Sequence, residues 1–229
     1  QYTGKEDYVP RDNIIHISDV SYCLAKAYLR RRYPDWENRY PEQRWDSKRH
    51  LARGTIQHAG ITSLFPTSEK DVSFPLPGAD ASLTGRLDFV NQGICYELKW
   101  SSDYATSKIK REGPYPWHVE PLLFYSWCRK YPEMRLMYWS SNSIDLYRVG
   151  MEGRDEIIRN LADRAAELHE SLKNENPPEP ESGYSFKSEC DYCEYGPNVC
   201  GDEALCDGEK VEELEEEPEE GAMEKLIEP

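Results

Sequence analysis

The sequence contains no run of the roughly 18 apolar residues that a membrane-crossing helix requires. Its opening, QYTGKEDYVPRDN, lacks the basic and apolar regions of a secretory leader. Both absences lead to the expectation of a cytoplasmic protein with no membrane partner. No internal repeat is present, which excludes a repeat architecture. Positive charge is scarce, with 28 Lys and Arg against 43 Asp and Glu and a net charge of -15. That balance works against an anionic partner, because neutralised phosphates drive nucleic-acid binding. An even number of cysteines is missing too. Seven thiols without a secretion signal argue against a disulfide framework and for a reducing compartment.

The charge is unevenly spread. From Asp207 to Pro229, eleven acids and two bases carry -9 of the total, which leaves -6 for everything before. This acidic segment, 207–229, has too little apolar content to pack and is expected to be a disordered tail ending in AMEKLIEP. Residues 30–53 instead hold eight Lys or Arg against four acids. Arg30, Arg31, Arg32, Arg49 and Arg53 in this stretch are candidate DNA contacts, although a solvated helix face has the same composition.

A length of 229 residues supports one core with appendages, here residues 1–206. HISDVSYCLAKAYLRRR, with Ser18 and Asp19 as candidate caps, and DSKRHLARGTIQHAGITSLF both read as helices. DVSFPL, SLTGRLDFVN and GICYELKW follow as an antiparallel meander with turns at LPGAD and NQG. SDYATSKIKREGPYP is polar and broken by Gly and Pro, so a mobile loop is expected there. WHVEPLLFYSWCRKY reads as a helix with Pro121 in its first turn or at a kink. MRLMYWSS and SIDLYRVG form a hairpin at SNS, and EIIRNLADRAAELHESLKN has a continuous apolar stripe from Ile157 to Leu172.

Within GRLDFVNQGICYELKW, Asp88 lies near the end of one strand, while Glu97 and Lys99 share a face of the next. The three can meet at one point. Two hard carboxylates supply a site for a cation that polarises a phosphoryl group and activates water, and Lys99 would stabilise developing charge. A surface ion pair is the ordinary explanation of such a pattern. It is weakened because Ile94, Tyr96 and Leu98 make this strand apolar, where charges are costly unless paired or metal-bound. His58 in RGTIQHAG would complete the site and favour manganese over magnesium, although a lone helical His is usually a surface residue. Tyr125 in EPLLFYSW either faces this site or is a core aromatic.

Cys95 and Cys128 sit in apolar segments and read as small core residues. The C-terminal spacing Cys190-x2-Cys193-x6-Cys200-x5-Cys206 is a metal-binding signal. Four local cysteines make a zinc knuckle, or Cys23 joins three of them around a 4Fe-4S cluster. The ordered set of an early helical Cys, G-x3-H, D with E-x-K on a hairpin, a helical Tyr and C-x2-C with a further Cys resembles the CRISPR-associated RecB-like exonucleases, the Cas-four family. It is similar also to the iron-sulfur nuclease domain of the AddB subunit. The likeness runs over about residues 15–200.

This resemblance implies an α/β fold of the PD-(D/E)XK type, a restriction-endonuclease-like core whose mixed sheet is flanked by helices, with an iron-sulfur cap. It implies a 4Fe-4S cluster on Cys23, Cys190, Cys193 and Cys200, a manganese or magnesium ion on His58, Asp88 and Glu97, and catalysis by Lys99. The implied activity is cleavage of DNA that is single-stranded or has overhangs, trimming fragments for CRISPR spacer acquisition with the integrase complex as partner. Three features depart from the family: Pro121 stands where Gln is usual, the gap from Cys193 to Cys200 is one residue longer, and Cys206 is an additional thiol. A repair nuclease of the AddB type would use the same site. A catalytically weak zinc or iron-sulfur binding module would keep the cysteines without needing Glu97 and Lys99.

Overall fold

Alternating apolar positions in SLTGRLDFVN make it the long strand on which the sheet is built. The computed structural model describes residues 11–33, 54–65, 68–181, 193 and 195, and the pairing of Ile227–Glu228. In chain order these form β1 (Ile14–His16), α1 (Ile17–Val20), α2 (Leu24–Arg32), α3 (54–62), β2 (Ser68–Pro75), β3 (Ser82–Asn91) and β4 (Ile94–Trp100). Then come α4 (Asp103–Glu112), α5 (Pro116–Arg129), β5 (Glu133–Trp139), β6 (Ile144–Val149), α6 (Arg154–Lys173) and β7 (Ile227–Glu228).

The sheet is mixed, ordered β1-β3-β4-β5-β6-β7, with β2 also on β3. β2, β3 and β4 are the expected antiparallel meander, and the β3–β4 turn places Gln92 and Gly93 in the left-handed region at φ 52 and 81, as a tight hairpin requires. β4 then runs parallel to β5, and β5 and β6 form the expected hairpin. While β2 covers one edge of β3, β1 pairs with Ser82–Thr84 and β4 with Phe89–Asn91 on the other. Between those two partners, positions 85–88 of β3 face a split in the sheet.

α5 lies on this sheet with Leu122, Leu123 and Phe124 fully buried. Pro116 starts it, Lys130 closes it in the left-handed region at φ 58, and Pro121 lies inside it rather than in its first turn. α6 buries Ile158, Leu161, Ala165, Leu168 and Leu172, the stripe legible in the sequence. No helix among the described residues is long and apolar enough to cross a membrane.

Four expectations are corrected. Residues 103–112 are not a loop but helix α4, because Ser102 caps it by accepting the Ala105 N–H at 3.1 Å and Gly113 ends it at φ 86. The first helix is two, α1 and α2, broken at Ser21–Cys23, so that Cys23 is the N-cap of α2. Asp19 caps from inside α1, accepting the His16 N–H at 3.0 Å. Finally, Ile227 and Glu228 pair with Val149 and Arg148 of β6, so the apolar end of the acidic segment joins the sheet; the rest of 207–226 lies outside the described residues.

Candidate active site

The split in the sheet brings the candidate residues together. Asp88 Oδ2 accepts the Leu98 N–H at 2.6 Å, taking the place of a ladder bond where β3 and β4 part. Its Oδ1 is 2.7 Å from His58 Nε2 on α3. α3 is held over the hairpin by this bond and by Phe65, which stacks on Phe89 at 4.0 Å, while Phe89 stacks in turn on Tyr96 at 4.7 Å. Next to Asp88, Glu97 is buried and accepts from Lys99 Nζ at 2.6 Å through Oε1. Its Oε2 is buried with no hydrogen-bond partner.

Burial, and then repulsion by Asp88, push the Glu97 carboxyl up to about 7, against the pull of Lys99 and His58. Burial acts to neutralise Lys99, but Glu97 and Asp88 outweigh it and hold the ammonium well above its ordinary range. The two shifts differ because Asp88 attracts the lysine and repels the glutamate. The lysine therefore stays charged, and the uncompensated strain sits on the carboxylate pair.

Tyr125 backs the site from α5. Burial, then Glu97 and Asp88, push its phenol well above the usual range, so it remains a neutral donor. Its ring lies against Gly85 of β3, where a Cβ would stand 2.6 Å from Tyr125 Cε1 and 2.9 Å from Ile17 Cγ2. Gly85→Ala is therefore expected to cost about 2 kcal/mol in overpacking. It should also displace Tyr125 and lower activity, and thermal unfolding and cleavage assays of this variant check both effects. Unchanged stability would mean that ring and strand are not in contact.

Two residues at this centre escaped sequence reasoning. His118 Nδ1 lies 2.8 Å from the Tyr138 hydroxyl, and burial, with Lys99 adding to it, keeps the imidazole neutral. Tyr138 is paired in register with Lys99 across β4 and β5, which no local pattern announces. Pro121 is buried in α5. Its neighbour Glu120 turns to Ser21 and Arg164 rather than to Glu97, and burial lifts its carboxyl to about 7.

Of the candidate DNA contacts, Arg49 and Arg53 lie outside the described residues, and Arg30 is exposed. Arg31 is turned inward, bound to Asp19 at 2.6 Å and to the Ile14 carbonyl at 2.8 Å. Arg32 donates to the Leu172 carbonyl and pairs with Asp12 at 3.6 Å. A groove of about 640 Å³ lined by Phe74, Trp127, Tyr131 and Met151 shares no residue with the acidic site.

Cys95 is fully buried and Cys128 packs against the core, as expected. Cys190, Cys200 and Cys206 lie outside the described residues, while Cys193 packs against the core beside the buried Tyr195. Burial raises the Cys23 thiol, and backbone N–H groups of Glu181, Lys26 and Ala25 act in the opposite direction. The Glu181 carboxylate accepts the Leu24 N–H at 2.8 Å and is held by Arg164, which also donates to the Val20 and Tyr22 carbonyls at 2.8 and 2.6 Å. Glu181 is thereby fixed next to Cys23.

Among the described residues, no three His, Cys, Asp or Glu side chains converge as a ready metal site. His58 and Asp88 hold each other, and Glu97 is held by Lys99. The donor chemistry nevertheless fits a hard or borderline divalent cation: two buried carboxylates that repel, one oxygen of them unpartnered, and an imidazole nitrogen in reach.

No family model matches the chain, and no curated protein matches it. Among solved structures, the fold is similar to the crystal structure of SSO0001, with a TM-score of 0.58 at 21% identity over 82% of this chain and 87% of that one. An alkaline exonuclease (LHK-Exo) from Laribacter hongkongensis superposes with a TM-score of 0.44 at 14% identity over 72% of this chain and 92% of that one. The chain is thus a mixed α/β fold whose sheet is flanked by helices.

Proposed function

We propose that the protein is a metal-dependent deoxyribonuclease of the PD-(D/E)XK, RecB-like type, acting on single-stranded DNA or overhangs. The observation that carries this reading is the buried Glu97 carboxylate, which has one oxygen without a partner and lies beside Asp88 and Lys99 at the split of the sheet. A repelling buried carboxylate pair is costly to the fold unless a cation joins it. Asp88 and Glu97 would hold manganese or magnesium with His58. The cation would polarise the scissile phosphate and lower the pKa of an attacking water. Lys99 holds a positive charge where the phosphorane charge develops, and Tyr125 remains a neutral donor behind it. Degradation of labelled single-stranded DNA with manganese or magnesium, stopped by chelation, tests the reading. Intact DNA under both metals would reject it.

The same reading assigns a 4Fe-4S cluster to Cys23, Cys190, Cys193 and Cys200, as a cap joining both ends of the chain. Its support is the Glu181 segment, fixed by Arg164 beside Cys23. Trimming of DNA fragments for CRISPR spacer acquisition is the biological role that the resemblance to the Cas-four family implies, with a repair nuclease of the AddB type as the alternative. Cys23→Ser is expected to lose iron and several kcal/mol of stability, roughly the scale of a structural metal site, whereas Cys206→Ser keeps both. Iron and sulfide analysis of anaerobically purified variants checks this. Loss in Cys206→Ser alone would instead support a local four-cysteine site.

A further inference from the structure

Lys99 has a neighbour besides Glu97. Its charge acts on the His118 imidazole, which burial already keeps neutral. The register of the sheet explains the meeting: Lys99 pairs with Tyr138 across β4 and β5, and the Tyr138 hydroxyl lies 2.8 Å from His118 Nδ1. Residues paired in register project from the same face of a sheet, and α5 lies on that face. His118 and Tyr125 are seven residues apart on α5, two turns and about 10 Å, so they share one side of the helix. Tyr125 backs the carboxylates, and His118 stands at the lysine end.

The hydrogen bonds fix which nitrogen carries the proton. The Tyr138 hydroxyl is buried and accepts the Tyr115 N–H at 3.3 Å, so its own proton has His118 Nδ1 as its one acceptor among the described residues. Burial holds that phenol above its ordinary range, and it keeps the proton to donate. A neutral imidazole that accepts at Nδ1 carries its hydrogen on Nε2. The Tyr115 and Trp117 rings meet the imidazole edge-on at 5.5 and 5.9 Å and hold its plane. His118 is half-buried rather than sealed, and its Nε2–H has no acceptor among the described residues. We propose that His118 is a second donor of the centre, whose Nε2–H binds a non-bridging oxygen of the DNA phosphate that Lys99 faces. The inference rests on the nuclease reading and adds to it a residue that touches substrate. A second cation would be repelled by Lys99, whereas a neutral ring donates without that cost.

Two variants separate the ring nitrogens. The amide of His118→Asn reaches the place of Nδ1 and leaves that of Nε2 empty, whereas the longer His118→Gln carries an N–H to the place of Nε2. Thermal unfolding confirms that both are folded. Affinity for labelled oligo(dT) is measured by fluorescence anisotropy with the full chain in calcium, and kcat/KM for single-stranded DNA in manganese. His118→Asn is expected to lose about tenfold in both, the scale of one hydrogen bond to a charged group, and His118→Gln to recover most of the loss. Equal values for His118→Asn and wild type overturn the proposal, as does an equal loss in both variants, which would mark a purely structural contact with Tyr138. The imidazole 15N spectrum of wild type, assigned by the signal missing from His118→Asn, should show the Nε2–H tautomer; the Nδ1–H tautomer overturns the proposal independently of the variants. Cleavage separates the two readings. Wild type that binds with the expected pattern but never cleaves leaves the phosphate donor standing and removes the nuclease. Wild type that cleaves, with affinity and kcat/KM unchanged in His118→Asn, removes the donor alone. Absence of binding by wild type removes both.

Discussion

Arg164→Ala is expected to cost about 3 kcal/mol of stability, the lower end of what breaking a buried ion pair costs, and to lower the melting temperature by about 10 °C. The Arg164 side chain is 7% exposed, and its guanidinium donates to the Val20 carbonyl at 2.8 Å, to the Tyr22 carbonyl at 2.6 Å and to both Glu181 oxygens. Removing it takes a donor from two carbonyls and from the Glu181 carboxylate, which keeps the Leu24 N–H, at the junction of α1, α2, α6 and Glu181. Glu181 is 29% exposed and recovers part of its hydration, which keeps the loss at the lower end. Arg164→Lys should recover little, since an ammonium cannot reach these acceptors in a fork. Calorimetry of both variants checks the expectation, and a loss below about 1 kcal/mol for the alanine variant would show that the junction is held by other contacts.

Glu97→Gln is expected to lower cleavage about a thousandfold or more while leaving the melting temperature close to wild type. Burial and Asp88 act against the Glu97 charge and outweigh Lys99, which acts for it, so an isosteric neutral amide removes a net unfavourable charge and does not cost the fold stability. The metal response separates function from structure. At manganese about a hundredfold above its dissociation constant, binding stabilises the wild type by about 2.7 kcal/mol, a rise of several degrees. The variant should show little of that rise. An equal metal-induced rise in both proteins would place the cation elsewhere.

Much of this centre is legible in the sequence because it is local. Asp88, Glu97 and Lys99 lie on one hairpin, where a tight turn and period-two alternation decide which side chains meet. The stripe of α6 is similarly plain, since its apolar positions repeat over a long helix. Residues brought in from a distance are less legible. His118 and Tyr138 reach Lys99 only through the parallel pairing of β4 with β5, a crossover that no short pattern encodes. Arg164 lies on the buried side of an amphipathic helix, where its charge reads as solvated until the α1–α2 turn is docked on it. α4 was hidden because only Thr106 and Ile109 are buried, so its capping residues Ser102 and Gly113 define it more than its pattern does. In the basic run, composition marks the arginines alike, and only packing distinguishes the inward Arg31 from the exposed Arg30.

The most direct measurement is the single-turnover cleavage rate of 5′-labelled single-stranded DNA by wild type and Lys99→Ala at saturating manganese. Lys99 is not a metal ligand in this account; it holds positive charge beside Glu97 and Asp88. The Lys99→Ala protein should therefore still show the manganese-induced rise in melting temperature but cleave at least about a hundredfold more slowly. A folded, manganese-responsive Lys99→Ala protein that cleaves at the wild-type rate would contradict the assignment of the active site.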